Sequence, residues 1–257
     1  MMKKIITLFV LAFASIALHA ERTVPYNYKT WSDAYKAKDY VAAKAALDSF
    51  ILTTAQQKLA VASRYITLTV ATNKAALNTT EKALAYADTL IAECGITDAN
   101  TIDDVKTYAL YCGKHYQAVY DYVKALPAPL VSTKTLLMHA CRSLKKYDES
   151  LAYALETNDM YHAVVAAKNQ GDKVKIFELS KRAALEGYLA ADKLKKILNF
   201  VGEQYYGDTT ITEEQQTEFY VAVNQKYSRF LVTDKATWEP ILASVRVTLK
   251  ARGVSVE

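Results

Sequence analysis

The chain has 257 residues and a formal charge of +5, with 32 basic and 27 acidic side chains spread evenly along it. That balance is too weak and too dispersed to argue for nucleic acid or an anionic membrane as partner. Seven Gly and four Pro amid abundant Ala, Leu, Lys and Tyr make a helical composition, and no alternating run carries hairpin turn chemistry.

Residues 1–20 read as a secretory signal peptide. Lys3 and Lys4 form a positive start, Ile5 to Leu18 an apolar stretch, and Leu18-His19-Ala20 a small-residue cleavage point before Glu21-Arg22. The stretch is short of the ~20 residues a spanning helix needs, although a retained anchor helix is the alternative. Glu21 stands where a lipoprotein needs Cys. The expected location is therefore the periplasm or the medium. Loss of the leader leaves 30 basic against 27 acidic residues. No later segment spans a membrane: Ser63, Arg64, Thr67 and Thr69 interrupt 61–70, and Asp121, Lys124, Pro127 and Pro129 interrupt 119–130. The mature chain is long enough to bury roughly 70–75% of its unfolded surface, so it needs no metal, cofactor or disulfide to hold a core.

From residue 21 to 257 the pattern is one all-α domain. Helices are expected near 27–37, 40–52, 55–71, 80–94, 101–112, 115–126, 132–145, 148–157, 159–169, 172–186, 189–205, 212–231 and 237–252. Asn78 with Glu81, and Thr212 with Gln215, have the spacing of capping boxes. Pro127 and Pro129 stop the helix before them, and Pro240 falls in the first turn of the last helix. The short connections make consecutive helices antiparallel. Cys94, Cys112 and Cys141 lie in apolar helical surroundings. An odd count leaves at least one thiol free; a Cys112–Cys141 disulfide is the alternative to three buried thiols.

Several connections repeat one pattern: Lys38-Asp39-Tyr40, Gly113-Lys114-His115-Tyr116, Lys145-Lys146-Tyr147 and Gly171-Asp172-Lys173. Small or apolar residues follow at three, seven and ten positions: Ala43, Leu47 and Phe50; Val119, Val123 and Leu126; Ser150, Ala154 and Thr157; Ile176, Ser180 and Ala183. Others precede the turns, including Ala34, Leu110, Cys141, Met138, Leu137, Ala167 and Val164. In this the chain resembles the tetratricopeptide-repeat family in degenerate form. The departures are uneven turn spacing, a pair at 55–94 without a turn Tyr, Trp31 in place of a small residue, and Lys106 in place of Leu. The resemblance implies an α–α superhelix of about five to six antiparallel hairpins, a right-handed solenoid over 24–187 with capping helices over 188–257; a single irregular helical bundle is the alternative.

Chemistry is sparse. No phosphate loop, Gly-x-Ser-x-Gly, His-Glu-x-x-His, Cys-x-x-Cys or calcium-loop pattern occurs. His139 and Cys141 are two apart and diverge on a helix, so they make no metal site. His115 is expected to be solvated in its turn, and His162 sits at a helix start where it caps or binds. Asp103-Asp104 and Glu213-Glu214 suit helix N-termini. Lys193, Lys195 and Lys196 read as a solvated face.

Tyrosine is unusual, with 19 copies against 7 Phe. Tyr40, Tyr116 and Tyr147 are expected to plug the gaps between hairpins. The resemblance places the first helix of each hairpin on a concave face. It implies that Tyr28, Tyr35, Tyr108, Tyr111, His139, Arg142, Tyr161 and Lys168 point into a groove. An aromatic groove with scattered cations suits an extended peptide or a glycan. The expected function is an exported, non-enzymatic protein that binds a protein or peptide partner in the cell envelope. The alternatives are a hydrolase or lyase of envelope polymers, and a subunit that self-associates through its C-terminal apolar residues 241–249.

Overall fold

The computed structural model describes residues 22–205 and 211–255; the expected leader lies outside the described residues. The described residues are overwhelmingly helical. The helices are α1 (Tyr28–Lys36), α2 (Tyr40–Ser49), α3 (Ala55–Thr72), α4 (Thr80–Glu93), α5 (Ala99–Cys112), α6 (Tyr116–Ala125), α7 (Val131–Ser143), α8 (Tyr147–Glu156), α9 (Met160–Gln170), α10 (Lys173–Lys181), α11 (Ala191–Tyr205), α12 (Glu213–Tyr227) and α13 (Lys235–Ala251). No described helix is long and apolar enough to cross a membrane.

Local chemistry starts and stops these helices. Asp39, Asp98, Asp159, Asp172 and Asp234 each accept a backbone N–H three residues on, giving α2, α5, α9, α10 and α13 their N-caps. Thr54 and Thr212 complete full capping boxes with Gln57 and Gln215. Helices α1, α4, α5, α7, α8 and α9 are each followed by a left-handed residue: Lys38 at φ 61°, Lys114 at 64°, Lys145 at 61° and Asn158 at 56°, with Gly95 and Gly171 in the same role. Around each non-glycine turn two N–H groups fold back on the last helical carbonyls. Lys38 and Asp39 donate to Tyr35 and Ala34, and Lys114 and His115 to Tyr111 and Leu110. Lys145 and Lys146 donate to Arg142 and Cys141, and Asn158 and Asp159 to Leu155 and Ala154. This is the Schellman geometry, which satisfies carbonyls a helix end leaves open.

The repeat positions fill the core. Ala43, Leu47, Phe50, Leu110, Val119, Val123, Leu137, Met138, Cys141, Ser150, Ala154, Val164, Ala167, Ile176, Ser180 and Ala183 are all buried. Small residues among them let neighbouring helices approach closely. The turn tyrosines Tyr40, Tyr116 and Tyr147 are only half-buried. Tyr40 tilts against Tyr35 and Tyr116 against Tyr111, each a tyrosine of the preceding helix.

The chain divides after Ala140 into two compact units. In the first, α1 packs on α2, α4 on α5, and α3 lies beside α5. In the second, α9 packs between α8 and α10, and α13 packs on α12 and α11.

Several expectations change. The helix expected over 40–52 ends at Ser49, because Phe50–Ile51 (β2) pairs in parallel with Val24–Pro25 (β1). Arg22 fixes this entry by donating to the carbonyls of Leu47 and Phe50 at 3.2 and 3.0 Å. The cap of α4 is Thr79, not Asn78, since Asn78 closes the 3-10 turn Lys74–Leu77 and has helical φ and ψ. The last helix starts earlier than expected, so Pro240 is inside it rather than in its first turn. The helix expected over 172–186 changes to a π-turn at Arg182–Glu186. None of the three cysteines is in a disulfide; Cys94 and Cys141 are buried and Cys112 half-buried. Burial raises the Cys94 thiol to about 11 and also raises that of Cys112. His115 is not free in its turn: its Nε2 lies 2.8 Å from the Leu77 carbonyl. Asp104 is buried, 5% exposed, and takes hydrogen bonds from the hydroxyls of Ser132 and Thr133 at the start of α7.

Candidate functional site

In the first unit, one group of aromatic residues gathers around α1, α3 and α5. On α1, Tyr28, Trp31 and Tyr35 recur at a spacing that puts them on one face. Trp31 is the buried anchor, 7% exposed, and stacks on Tyr35 with centroids 4.9 Å apart and planes 18° apart. Tyr28 is 52% exposed. From α3, the Arg64 guanidinium reaches over three rings, 5.8 Å from Tyr26, 4.6 Å from Tyr28 and 5.3 Å from Trp31. It is held there by a 2.7 Å hydrogen bond from Nη1 to the Ala60 carbonyl. A guanidinium stacked among ring faces is attracted by their quadrupoles and is pre-organised as a planar donor.

The face continues on α5. Tyr108 Oη lies 3.0 Å from Thr67 Oγ1 on α3, and its burial, with the Cys112 thiol beside it, pushes its pKa up to about 12. Tyr108 therefore stays a neutral hydrogen-bonding group at any physiological pH. Tyr111 lies 6.1 Å from the His139 ring of α7. Of the eight groove residues expected from sequence, the structure thus joins Tyr28 to Tyr35 through Trp31, ties Tyr108 to α3, and brings Tyr111 to His139. Arg64 and Trp31 were missed. Arg64 lies in the hairpin without a turn Tyr, so there was no landmark from which to count its position. The available signal was the dense Tyr26-x-Tyr28-x-x-Trp31 run.

In the second unit, the remaining three expected residues separate. Arg142 is half-buried on α7. Lys168 on α9 places its ammonium 4.1 Å from the Phe200 ring centroid. Tyr161 instead lines a cleft of about 700 Å³. One wall of this cleft is the Thr157–Met160 turn. The other is the π-turn with Arg182 and Glu186, followed by Gly187 to Ala190, and Lys193 of α11 closes it. Lys193 holds its ammonium 5.1 Å from the Tyr161 ring, while Lys195 and Lys196 stay exposed.

Asp159, which lines the cleft, caps α9 and pairs with His162 Nδ1 at 2.7 Å. The His162 hydrogen bond holds its carboxyl at about 2, well below the usual carboxylate range. The π-turn wall is fixed from behind. Lys226 of α12 donates to the carbonyls of Ala184, Leu185 and Gly187, and Tyr227 Oη donates to Ala184 at 3.0 Å. Burial, then Arg229, lowers the Lys226 pKa.

Among the described residues no three His, Cys, Asp or Glu side chains converge as a metal site. No family of known proteins matches the chain, and neither a curated protein nor a solved structure shows significant similarity to it.

Proposed function

We propose that this is an exported, non-enzymatic helical-hairpin protein that binds a protein or peptide partner of the cell envelope. In this reading it is a degenerate relative of the tetratricopeptide-repeat class, whose hairpins stack as an α–α superhelix. The recurrent left-handed turns and the buried repeat positions support that kinship. The observation that carries the binding function is the aromatic face of the first unit, where Tyr28 is exposed beside the Arg64 guanidinium. Tyrosine, tryptophan and arginine are the residues that anchor protein partners most often, since each combines a large contact surface with a fixed polar tip.

The test is a pull-down from envelope extract with the mature chain, 21–257, run beside Tyr28→Ala and Tyr111→Ala. The captured partner is then purified and titrated with each protein. A partner lost by variants that keep their helicity supports the reading. A partner that binds all three proteins alike removes the aromatic face from it. N-terminal sequencing of the exported protein tests the leader, with Glu21 expected first.

A further inference from the structure

The cleft in the second unit has no role in the partner-binding reading, and its chemistry differs from that of the aromatic face. Its volume, about 700 Å³, falls within the size range of small-molecule sites. Its walls expose more polar than apolar surface. Its charges cancel: Arg182 and Lys193 stand against Asp159 and Glu186. They also engage one another or a neighbour. Arg182 Nε lies 3.5 Å from Glu186, Asp159 holds His162, and Lys193 lies over Tyr161. A cleft of this kind projects little net field, so it does not select an ion. It also lacks the apolar pocket that a hydrophobic ligand or a peptide side-chain anchor needs. Among the described residues of this unit there is no strand, and so no strand edge of its own to pair with an extended peptide.

What remains is a ligand that is neutral, rich in hydroxyls and flat enough to lie on a ring. Two tyrosines line the cleft: Tyr161, half-buried, and Tyr188, 62% exposed and set edge-on against Phe230 at 5.4 Å. Sugar rings present C–H faces to aromatic rings and hydroxyl edges to charged planar groups. Both are provided here, by the two tyrosines and by the Arg182–Glu186 and Asp159 side chains. We propose that the cleft between the Thr157–Met160 turn and the π-turn binds a neutral oligosaccharide, with Tyr161 and Tyr188 as stacking platforms.

The wall is built to hold its shape. π-turns are rare and occur frequently at functional sites, since they displace a side chain from the helical register. Here the turn is locked by Lys226 and Tyr227 and so presents Arg182, Glu186 and Tyr188 at a fixed spacing. A pre-organised wall lowers the ordering cost that weakens binding of a polar ligand.

The test is calorimetric titration of the mature chain at millimolar ligand. The ligands are maltotriose, N,N′,N″-triacetylchitotriose, the acidic trisaccharide trigalacturonate, and an acetylated, amidated Tyr-Ala-Ala peptide. At least one neutral trisaccharide is expected to bind. Tyr188→Ala and Tyr161→Ala are expected to weaken it by about tenfold, as loss of an aromatic contact does. Tyr28→Ala, in the other unit, is expected to leave it unchanged. Glu186→Gln repeats the test without disturbing the Tyr188–Phe230 contact, and melting curves on every variant separate lost binding from lost structure. The proposal is overturned if neither neutral trisaccharide binds, if binding survives both tyrosine changes, or if only the acidic sugar or the peptide binds. The partner reading stands or falls separately, on Tyr28 and Tyr111.

Discussion

Gly113→Ala should destabilise this protein, although the backbone there is ordinary. Gly113 has φ −71° and ψ −6°, a conformation alanine adopts freely, so conformational entropy alone would favour the change by ~0.4–1 kcal/mol. The obstacle is space. A Cβ on Gly113 would sit 2.7 Å from the Leu77 carbonyl oxygen and 2.7 and 2.8 Å from two atoms of the His115 ring. The ring can move, but only by giving up its 2.8 Å contact with Leu77, worth about 1 kcal/mol. The carbonyl belongs to the backbone, and shifting it adds an overpacking cost of about 1–3 kcal/mol. The net expectation is a loss of about 1–3 kcal/mol. The next residue behaves oppositely. Lys114, at φ 64°, carries the left-handed penalty of ~1–2 kcal/mol that glycine would avoid. Allowing for the extra chain entropy of glycine, Lys114→Gly should stabilise by about 0.5–1 kcal/mol. Urea unfolding followed by far-UV circular dichroism reads both, with the midpoints moving in opposite directions at an unchanged slope. A Gly113→Ala protein as stable as the parent would refute the close-packing argument. A destabilised Lys114→Gly protein would refute the account of the turn.

Three further outcomes are expected. Arg64→Met removes the cation from three ring faces and should cost about 1–2 kcal/mol, with a shift in Trp31 emission; an unmoved spectrum would show that the guanidinium does not rest on the indole. Asp159→Asn should cost about 1 kcal/mol near neutral pH once solvent screening is counted. Because the folded pKa of Asp159 is depressed, its contribution is present above the ordinary carboxylate value and fades as pH falls towards about 2; parallel stability–pH curves for parent and variant would contradict this. Lys226→Met strips the donors from three carbonyls of the π-turn and should cost about 1–3 kcal/mol, with faster amide exchange at 182–189; unchanged exchange would mean that the turn holds itself.

The helices were legible because their signals are local. Aspartates before α2 and α10, the Thr212–Gln215 box and the prolines after α6 act within four residues of themselves, so a sequence displays them directly. The strand pair β1–β2 was not legible, since two residues are too few to alternate. Nor was the π-turn, which depends on an ammonium 39 to 42 residues further along the chain. Tyr28 and Tyr35 share one face of α1, and Tyr111 meets His139, because counting back from a turn Tyr fixes the helix face. Arg64 escaped because its hairpin has no such Tyr. Tyr188 escaped because it follows the last recognisable repeat, where periodicity has nothing to say about which residues meet Tyr161.

Chains built from similar hairpins face a danger that a single-layer fold does not: any apolar helix face can dock, after a fashion, on any other. Asp104 narrows the choice. Its carboxylate is buried where the hydroxyls of Ser132 and Thr133, at the start of α7, reach it. Sliding α7 by one turn, or substituting another helix, would strand a buried carboxyl group without these partners, a penalty far above the few tenths of a kcal/mol that separate one greasy surface from the next. The contact adds little net stability to the native pairing and subtracts heavily from every mistaken one. Its consequence lies in the traps the folding chain avoids, and an Asp104→Leu/Thr133→Val chain, which leaves neither partner of the buried pair behind, would be expected to fold to a comparably stable state while populating more misdocked intermediates on the way.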